Sequence, residues 1–416
     1  MKLLPRRQAL AGAAGLLGLS MAPPRALAVP DLPDAALLKR DPEAYWKRIR
    51  KEQFFLPEWR AFLNNGSLGV MPKPVFAAVA DFLETGASLT TDTYPRWGYE
   101  PLDEHRTALS TYIGCKKDEL AITHSATSSM SMIAAGLDLK AGDEVLTTDQ
   151  EHPSGRACWQ MKAARHGISL REVKIPQTPR NKGELLDIVT SAIGPRTKVL
   201  SFSGITTTTG LILPSKEICA YARSKGVLSV IDGAHMHGQI PVNIADIGCD
   251  FMAGSPHKWM FAPVGSGLLH IREEMLDRLW PTIVTGGWDD KKGKAVRFMS
   301  IGTNNRAIPE GMVAALKFGQ SLGHENVYKR IHDLAKMCIE KARQVPVLEV
   351  VTPDDDSLFG SLVSVRFKKD PAKAAALCRK RRIWITGGNP LRLSAHIHTR
   401  PEDFDAFFDT VREALA

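Results

Sequence analysis

The chain has 416 residues, of which 44% are hydrophobic and 24% are charged, and its formal net charge is +9. This composition is typical of a globular protein and excludes a disordered chain, and the length indicates a large domain with a smaller companion. Residues 1–28 hold four cations and no acid, so the remainder carries +5, a mild excess that does not indicate nucleic-acid binding. The six cysteines are scattered without a C-x-x-C motif, which argues against a metal site and leaves their disulfide state open.

The N-terminus has the pattern of an export signal. Arg6 and Arg7 precede an apolar run over residues 9–19, and Ala26-Leu27-Ala28 is a small-x-small cleavage pattern. The paired arginines favour the twin-arginine route, so we expect residues 1–28 to be a signal peptide and the mature protein to be periplasmic or otherwise exported. No later segment approaches the roughly 18 uninterrupted apolar residues of a membrane span, so no membrane contact is expected of the mature form.

The first part of the mature chain is charged and aromatic. We predict that residues 29–63 pack with the small domain and that the turn cluster Asn64-Asn65-Gly66-Ser67-Leu68-Gly69 opens a large domain over residues 64–303. Helical spacing occurs over Pro42–Lys51, Pro74–Leu83 and Pro101–Tyr112.

Short apolar runs then alternate with helical segments, which predicts βαβ units and an α/β fold with a mostly parallel seven-stranded sheet. The expected strands are Leu120–Thr123, Glu144–Thr148, Ser169–Val173, Val199–Phe202, Leu228–Ile231, Phe251–Ala253 and Gly267–Ile271. From residue 304 the pattern changes, and residues 304–416 are expected to form a smaller α+β domain. Its expected strands are Leu348–Val351, Ser361–Arg366 and Arg392–Ala395.

Polar or glycine-rich segments follow five of the expected strands. They are Ser125-Ala126-Thr127-Ser128-Ser129, Glu151-His152-Pro153, Thr207-Thr208-Thr209-Gly210, Asp232-Gly233-Ala234-His235 and Ser255-Pro256-His257-Lys258. In open α/β sheets, ligands bind outside the carboxyl ends of the strands, so we expect these segments to converge on one cleft. Taken singly, each is equally compatible with a plain helix cap or a loop.

Two residues carry the chemistry of that cleft. Lys258 lies between glycine turns and the aromatic side chains of Trp259 and Phe261, where partial burial lowers the pKa of an amine and makes it a nucleophile towards carbonyls. Asp232 suits a heteroaromatic nitrogen that must stay protonated. Arg392 lies inside an apolar strand, where its planar guanidinium suits a carboxylate; an internal salt bridge is the alternative.

Together these segments resemble the class V aminotransferase family of fold-type I enzymes that use pyridoxal 5′-phosphate (PLP). The matching motifs, in family order over about residues 60–410, are Asn65–Gly69, Ser125–Thr127, Glu151-His152, Thr207–Gly210, Asp232–His235, Ser255–Trp259, Gly302-Thr303 and Arg392–Ser394. Within the family, the isopenicillin N epimerase-like branch is the most similar.

The resemblance implies a role for each matching residue. Lys258 would bind the cofactor covalently and move protons, Asp232 would hold the ring nitrogen, and His152 would stack on the ring. The phosphate would be held by Ala126, Thr127, Ser255 and His257, with Thr303 reaching it from the neighbouring subunit of a homodimer whose active site lies at the interface. Thr207 and His235 would lie near the cofactor, and Arg392 would bind the carboxylate of an amino-acid substrate.

The activity expected from the resemblance is chemistry at Cα of an amino acid or of a metabolite that contains one. Transamination is favoured, with epimerisation or β-elimination as alternatives, and a non-catalytic binding protein on the same scaffold is a weaker alternative. Desulfurases of this family need a cysteine on the loop before the arginine strand. Because residues 383–391 contain none, the sequence predicts that the chain is not a cysteine desulfurase. The substrate stays open.

Overall fold

The computed structural model describes residues 31–88 and 102–416, so the expected signal peptide lies outside the described residues. Its centre is a seven-stranded sheet with the strand order β2-β8-β7-β6-β5-β3-β4. The strands are β2 (Leu120–Thr123), β3 (Glu144–Thr148), β4 (Ser169–Val173), β5 (Thr197–Ser203), β6 (Leu228–Asp232), β7 (Phe251–Gly254) and β8 (Gly267–Ile271). All neighbours pair in parallel except β8, which runs antiparallel to both β2 and β7. The predicted α/β class and mostly parallel sheet are confirmed.

Helices connect these strands. They are α1 (Ala35–Arg40), α2 (Pro42–Gln53), α3 (Lys73–Ser88), α4 (Asp103–Ile113), α5 (Ala126–Gly136), α6 (Pro153–His166), α7 (Lys182–Ser191), α8 (Ser215–Ser224) and α9 (Ile244–Ile247). Local chemistry sets where the important ones begin and end. The Ser125 hydroxyl accepts the Ser128 amide at the start of α5, and α6 begins with Pro153 and ends at Gly167, whose φ of 69° suits glycine.

A smaller sheet follows in the C-terminal part. Its antiparallel strands lie in the order β12-β10-β9, with β9 at Leu348–Val350, β10 at Leu362–Phe367 and β12 at Leu391–Ser394. The accompanying helices are α10 (Ala307–Leu322), α11 (His324–Arg343), α12 (Ala372–Lys380) and α13 (Pro401–Leu415). A two-stranded parallel sheet joins β1 (Ala61–Phe62) to β11 (Ile383–Trp384), which the sequence pattern did not predict because strands of two residues show no period.

Two hydrophobic cores hold the molecule together. One surrounds the seven-stranded sheet and includes Trp46 of α2 and Phe318 of α10, and the other surrounds the smaller sheet and includes Leu63 and Phe407. The domain boundaries at residues 63 and 303 stay a prediction. Within residues 31–88 and 102–416, no helix has the length and apolar character that a bilayer crossing requires.

Candidate active site

Lys258 lies in the turn that follows β7, with its backbone held from another part of the chain. The Asn65 side chain donates to the Lys258 carbonyl (3.1 Å), and the Gly69 amide donates to the His257 carbonyl (2.9 Å). A Cβ atom at Gly69 would lie 2.2 Å from the Lys258 carbonyl oxygen, so only glycine permits this approach. The turn cluster at residues 64–69 therefore fixes the backbone of the lysine.

The Lys258 amine lies in an environment that favours its neutral form. Burial lowers the pKa of Lys258 from its usual value to about 8, the carboxylate of Asp232 opposes that change, and the cation of Arg392 adds to it. Its Nζ atom lies 3.2 Å from Nε2 of His235. At pH 7 about a tenth of the amine is thus unprotonated and able to attack a carbonyl.

Asp232 is the last residue of β6 and is buried. Its Oδ1 accepts the Ala234 amide (3.0 Å), which fixes the orientation of the carboxylate. The other oxygen lies against the backbone of helix α6, where a Cβ at Gly155 would be only 2.9 Å from Oδ2. Asp232 thus has a fixed position near Lys258 and His152, on both of which its charge acts.

His152 caps helix α6 beside Asp232. Its Nδ1 accepts the Ser154 amide (3.1 Å), so the proton of the neutral ring lies on Nε2. Burial, followed by the cation of Lys258, lowers the pKa of His152, and the carboxylate of Asp232 only partly opposes this. The half-buried ring is therefore neutral and flat at physiological pH, which suits stacking on an aromatic ligand.

Glu151, beside His152, is a partly buried acid that the sequence analysis left without a role. It accepts hydrogen bonds from the hydroxyls of Thr148 and Ser203, each at 2.6 Å. Burial raises the pKa of Glu151 to about 7 against the effect of these hydroxyls, and the charge of Asp232 raises it further. Glu151 therefore joins the ends of β3 and β5 beneath the cleft.

His235 is buried next to the lysine. Its Nδ1 accepts the indole N–H of Trp259 (3.1 Å), and its Nε2 lies 3.3 Å from the Thr207 hydroxyl as well as close to Lys258. Burial holds the pKa of His235 well below its usual value, and the cations of Lys258 and Arg392 lower it further. The ring is therefore neutral.

The start of helix α5 offers a set of donors for an anion. The Ala126 amide donates to the Ser255 hydroxyl (3.0 Å), and Thr127 lies exposed in the same first turn. His257 donates from Nδ1 to the Ser266 carbonyl (3.0 Å), and burial lowers the pKa of its half-buried ring. Free amides at a helix N-terminus together with hydroxyl groups are suited to a phosphate.

Arg392 enters the cleft from β12 of the smaller sheet. Its Nη1 donates to the carbonyl and hydroxyl of Thr207 (2.9 and 3.1 Å), and its Nη2 donates to Ser67 (2.8 Å) and to Asn64 (3.3 Å). Its Nε atom is buried without a partner. Among the described residues no carboxylate pairs with Arg392, so within them the internal salt bridge considered from the sequence is not formed and the guanidinium is held by neutral oxygens.

Thr303 does not join this group within one chain. It lies exposed in the segment before α10, and none of the hydrogen bonds found among the described residues connects it to Lys258 or to the start of α5. Its expected role from a neighbouring subunit stays a prediction.

The comparisons with known proteins agree with these motifs. The sequence profile of the class V aminotransferases matches residues 62–403. The chain belongs to the class V aminotransferase family. The isopenicillin N epimerase of Streptomyces clavuligerus is 32% identical over 84% of this chain and 93% of its own length, and that of Amycolatopsis lactamdurans is 31% identical over 88% and 98%.

Proteins named as cysteine desulfurases, and the cystine C-S lyase C-DES, are also similar to this chain. Probable cysteine desulfurase 2 of Mycobacterium leprae is 27% identical over 73% of this chain and 76% of its own length. A C-DES variant with glycine covalently linked to its PLP cofactor has a TM-score of 0.76 at 23% identity and covers 85% of this chain and 97% of its own. The apo cysteine desulfurase of Thermococcus onnurineus NA1 has the same TM-score and identity, with 88% and 97% covered.

These relatives correct one prediction. The sequence predicted that the chain is not a cysteine desulfurase, because the loop before the arginine strand lacks a cysteine. That prediction was wrong, since proteins named cysteine desulfurase recur among the relatives and the structural neighbours. The physical reason is that one thiol on one loop does not define the class. Cleavage of a bond at Cβ begins with loss of the Cα proton, and the lowered pKa of Lys258 is compatible with that step.

The residues of the cleft fit PLP, the cofactor of this family. Lys258 supplies an amine for its aldehyde, Asp232 a carboxylate for its ring nitrogen, and His152 a flat neutral ring for its face. The start of helix α5 and Ser255 supply phosphate donors. The family to which the chain belongs shows that it is a PLP-dependent enzyme that acts on amino acids. Its amine, acid and anion donors each lie at or after the end of a strand.

The sequence analysis missed several residues of the site. Asn64, Ser67, Gly155 and His396 contact the predicted residues but received no role, and Trp259 was noted only as an aromatic neighbour of the lysine. The one usable signal was the glycine of the turn cluster, Gly69. The others contact their partners across long distances in the chain, where no spacing rule applies.

Proposed function

We propose that this enzyme epimerises an amino acid, or the amino-acid part of a larger metabolite, by removing and returning the proton at Cα. The observation that carries the proposal is the pairing of an amine of lowered pKa, Lys258, with a buried guanidinium, Arg392, that has no acid partner among the described residues. The amine is suited to removing the proton at Cα, and the guanidinium is suited to binding the carboxylate attached to the same carbon.

The donors around Arg392 support recognition of a carboxylate. Burial lowers the pKa of Arg392 to about 10, so the group stays charged at neutral pH. Thr207, Ser67 and Asn64 hold the guanidinium by neutral oxygens, which orient it without cancelling its charge. A substrate carboxylate would supply the missing negative charge in a bidentate contact.

The groups around Lys258 support proton transfer. PLP, when bound, withdraws electrons from Cα of an attached amino acid. Asp232 would hold the ring nitrogen in its protonated form, and His152 would limit movement of the ring. The Ala234 and Ser154 amides fix these two side chains. Lys258 would accept the Cα proton at Nζ on one face of the substrate, and inversion requires that a proton return to the opposite face of Cα. His235 lies within hydrogen-bonding distance of that Nζ atom.

The two isopenicillin N epimerases support return of the proton to Cα as the net reaction, because each aligns over more than nine tenths of its length. Transamination, which the motifs alone favoured, returns the proton to the cofactor instead. Loss of a group from Cβ, as in the relatives named for desulfurase or lyase activity, begins with the same proton removal.

Solvent exchange with product analysis tests the proposal. The PLP-loaded enzyme is incubated in D₂O with a panel of single-configuration amino acids and aminoacyl metabolites. Epimerisation gives deuterium at Cα in both configurations. Keto acid with loss of amine would establish transamination, and sulfide or pyruvate would establish elimination; either result would replace the proposed reaction. Lys258→Ala is the matched control and is expected to lose all exchange.

We also propose a homodimer in which Thr303 completes the phosphate site of the neighbouring subunit. An apolar surface on the segment before Thr303 supports an interface: the side chains of Trp280, Ile283, Val284 and Trp288 are 54%, 44%, 65% and 39% exposed. Light scattering measures the mass. Mixed dimers of Lys258→Ala and Thr303→Val subunits are expected to recover half of the wild-type PLP sites. A monomer, or mixed dimers without such sites, would refute the shared site.

Export of the enzyme is a third proposal, supported by Arg6, Arg7 and the cleavage pattern at residues 26–28. A folded reporter fused behind residues 1–28 is expected to reach the periplasm, and the double substitution Arg6→Lys and Arg7→Lys is expected to block it. Equal cytoplasmic retention of both fusions would contradict the signal.

A further inference from the structure

Trp259, the residue after the reactive lysine, folds back onto the cleft. Its side chain is buried, with 1% exposed, and its indole Nε1 donates to Nδ1 of His235 at 3.1 Å. An indole nitrogen can only donate a hydrogen bond, so Nδ1 of His235 has to present a lone pair. In a neutral imidazole the proton then lies on Nε2.

That Nε2 atom faces two groups. It lies 3.2 Å from Nζ of Lys258 and 3.3 Å from the hydroxyl oxygen of Thr207, which also accepts from Arg392. An N–H at this position can donate to the lone pair of a neutral amine. The same N–H cannot form a hydrogen bond with an ammonium group, which has only N–H donors, and it destabilises that charged form. The tautomer of His235 therefore discriminates between the two protonation states of Lys258.

Trp259 is itself held from the opposite side by His396. The Ile397 amide donates to Nδ1 of His396 (2.8 Å), so the His396 proton lies on Nε2, from which it donates to the Trp259 carbonyl (3.0 Å). The two rings stack with centroids 5.7 Å apart. His396 follows β12, the strand that carries Arg392, so the carboxylate-binding strand and the lysine turn are joined through Trp259.

We propose that Trp259 is a positioning residue whose indole N–H locks His235 in its Nε2–H tautomer, and that this tautomer orients the Lys258 amine and favours its neutral form over the ammonium. The role rests on the proposed function only in that Lys258 is the reactive amine. Among the ionisable groups, the charges that act on Lys258 and His235 are those of Asp232, Arg392 and His152.

The test is Trp259→Phe, which removes one N–H and keeps an aromatic ring. Without the indole donor, His235 can carry its proton on Nδ1 and accept from an ammonium at Lys258, which favours the charged amine. We expect the rate of Lys258 reductive methylation in the apoprotein at pH 7, measured by mass spectrometry, to fall about tenfold, which equals one pKa unit. The pH profile of the reaction should move upward to match.

Trp159→Phe is the matched control. Trp159 is equally buried and also donates one indole hydrogen bond, to the Ser201 hydroxyl at 2.9 Å, so it reports the general effect of losing a buried N–H. Lys258 reactivity is expected to be unchanged in this variant. An equal loss in both variants, or no change in Trp259→Phe, would overturn the proposal.

A double-mutant comparison with His235→Gln locates the effect. Adding Trp259→Phe to His235→Gln is expected to produce no further change in Lys258 reactivity, because the group on which Trp259 acts is gone. Additive effects would show that Trp259 acts by another path and would refute the proposal. The measured quantity is the reactivity of Lys258 in the apoprotein. The test of Trp259 therefore stands even if the epimerase assay fails.

Discussion

Lys258 and Arg392 are both enclosed cations at one cleft, yet the two sheets that supply them treat them differently. The large sheet places Lys258 near Asp232 and His235, and burial brings its pKa to about 8. The small sheet surrounds Arg392 with neutral oxygens, and burial brings its pKa only to about 10. Because a guanidinium starts from a much higher pKa, the same enclosure yields one group that changes protonation and one that stays charged.

The difference indicates that the two cations have separate roles, proton transfer and carboxylate recognition. The turn after β7 provides a group whose protonation changes near neutral pH, as proton transfer requires. Strand β12 provides a permanent charge, as recognition of a carboxylate requires. Variants that exchange or weaken these properties test the division.

The largest effect is expected from Arg392→Met. Loss of the charged fork should reduce kcat/KM about 100-fold or more, because charge-assisted hydrogen bonds to the carboxylate disappear. The free energy of unfolding of the apoprotein should change by only about 1 kcal/mol, since the described partners of Arg392 are neutral oxygens and one of them, Ser67, is exposed to water. Denaturant titration and steady-state kinetics measure the two quantities.

Arg50→Met is the contrasting control. Arg50 is also buried, but it pairs with Asp403 at 3.4 Å and donates to the Arg60 carbonyl. Asp403 keeps its closer partner Arg400 at 2.7 Å, so the cost comes from the buried carbonyl of His398 and the partly buried carbonyl of Arg60. Each carbonyl loses its donor at about 1–3 kcal/mol, so the loss of Arg50 should cost about 2–6 kcal/mol of stability. If Arg392→Met destabilised the protein as much as Arg50→Met, Arg392 would be a structural cation and the comparison would fail.

The second prediction concerns the titration of Lys258. Borohydride trapping of PLP by the apoprotein, followed against pH, should have its midpoint near 8. Asp232→Asn should lower that midpoint, because it removes the negative charge that favours the ammonium, and Arg392→Met should raise it. A midpoint unmoved by either change would show that the two charges do not act on the amine.

A smaller effect is expected from Gly155→Ala. The added methyl group would lie 2.9 Å from Oδ2 of Asp232, so the carboxylate has to move away from the ring nitrogen that it holds. PLP affinity should fall about tenfold while helix α6 gains up to about 1 kcal/mol from the better helix former. Gly194→Ala, whose methyl would meet atoms no closer than 3.9 Å, serves as the control and should leave affinity unchanged. Equal affinities would argue against a fixed Asp232.

The smallest effect on activity is expected from Glu151→Gln. This variant tests the raised pKa of Glu151 through the pH dependence of the free energy of unfolding. Since the folded protein raises the pKa of Glu151 to about 7, its folded state binds the proton more tightly than the unfolded chain. The stabilisation is complete below the ordinary pKa of about 4.5 and is lost as the pH rises through about 7. The wild type should therefore lose up to about 3 kcal/mol relative to Glu151→Gln between pH 4.5 and 8. Parallel curves would exclude the raised pKa.

The large sheet was predictable in detail because each strand is a short apolar run next to a helical segment. Four of its seven strands, including β3 and β4, begin and end where the sequence pattern placed them. The antiparallel direction of β8 was not apparent, since an apolar run carries no sign of its direction. Strands β1 and β11 were not predicted, since two residues show no period and their pairing joins segments more than 300 residues apart.

The site divides in a similar way. Asp232, His152 and Lys258, whose roles stay a prediction, were named as site residues because each lies at or after the end of a strand in a parallel sheet, and the ends of such strands meet at one edge. Trp259, His396 and Gly155 were not, because their importance lies in contacts made only after folding. The Trp259 indole donates to a histidine 24 residues earlier, and its carbonyl accepts from one 137 residues later.

The sequence alone determined the α/β class, the strands, and the residues that can perform the chemistry, because these depend on local periodicity and on side-chain type. The tertiary structure decided which state those residues adopt. Burial and neighbouring groups, which come together only when distant segments pack, lower the pKa of Lys258, surround Arg392 with neutral oxygens and fix the proton of His235. A residue's identity is local, whereas its protonation state depends on everything that surrounds it.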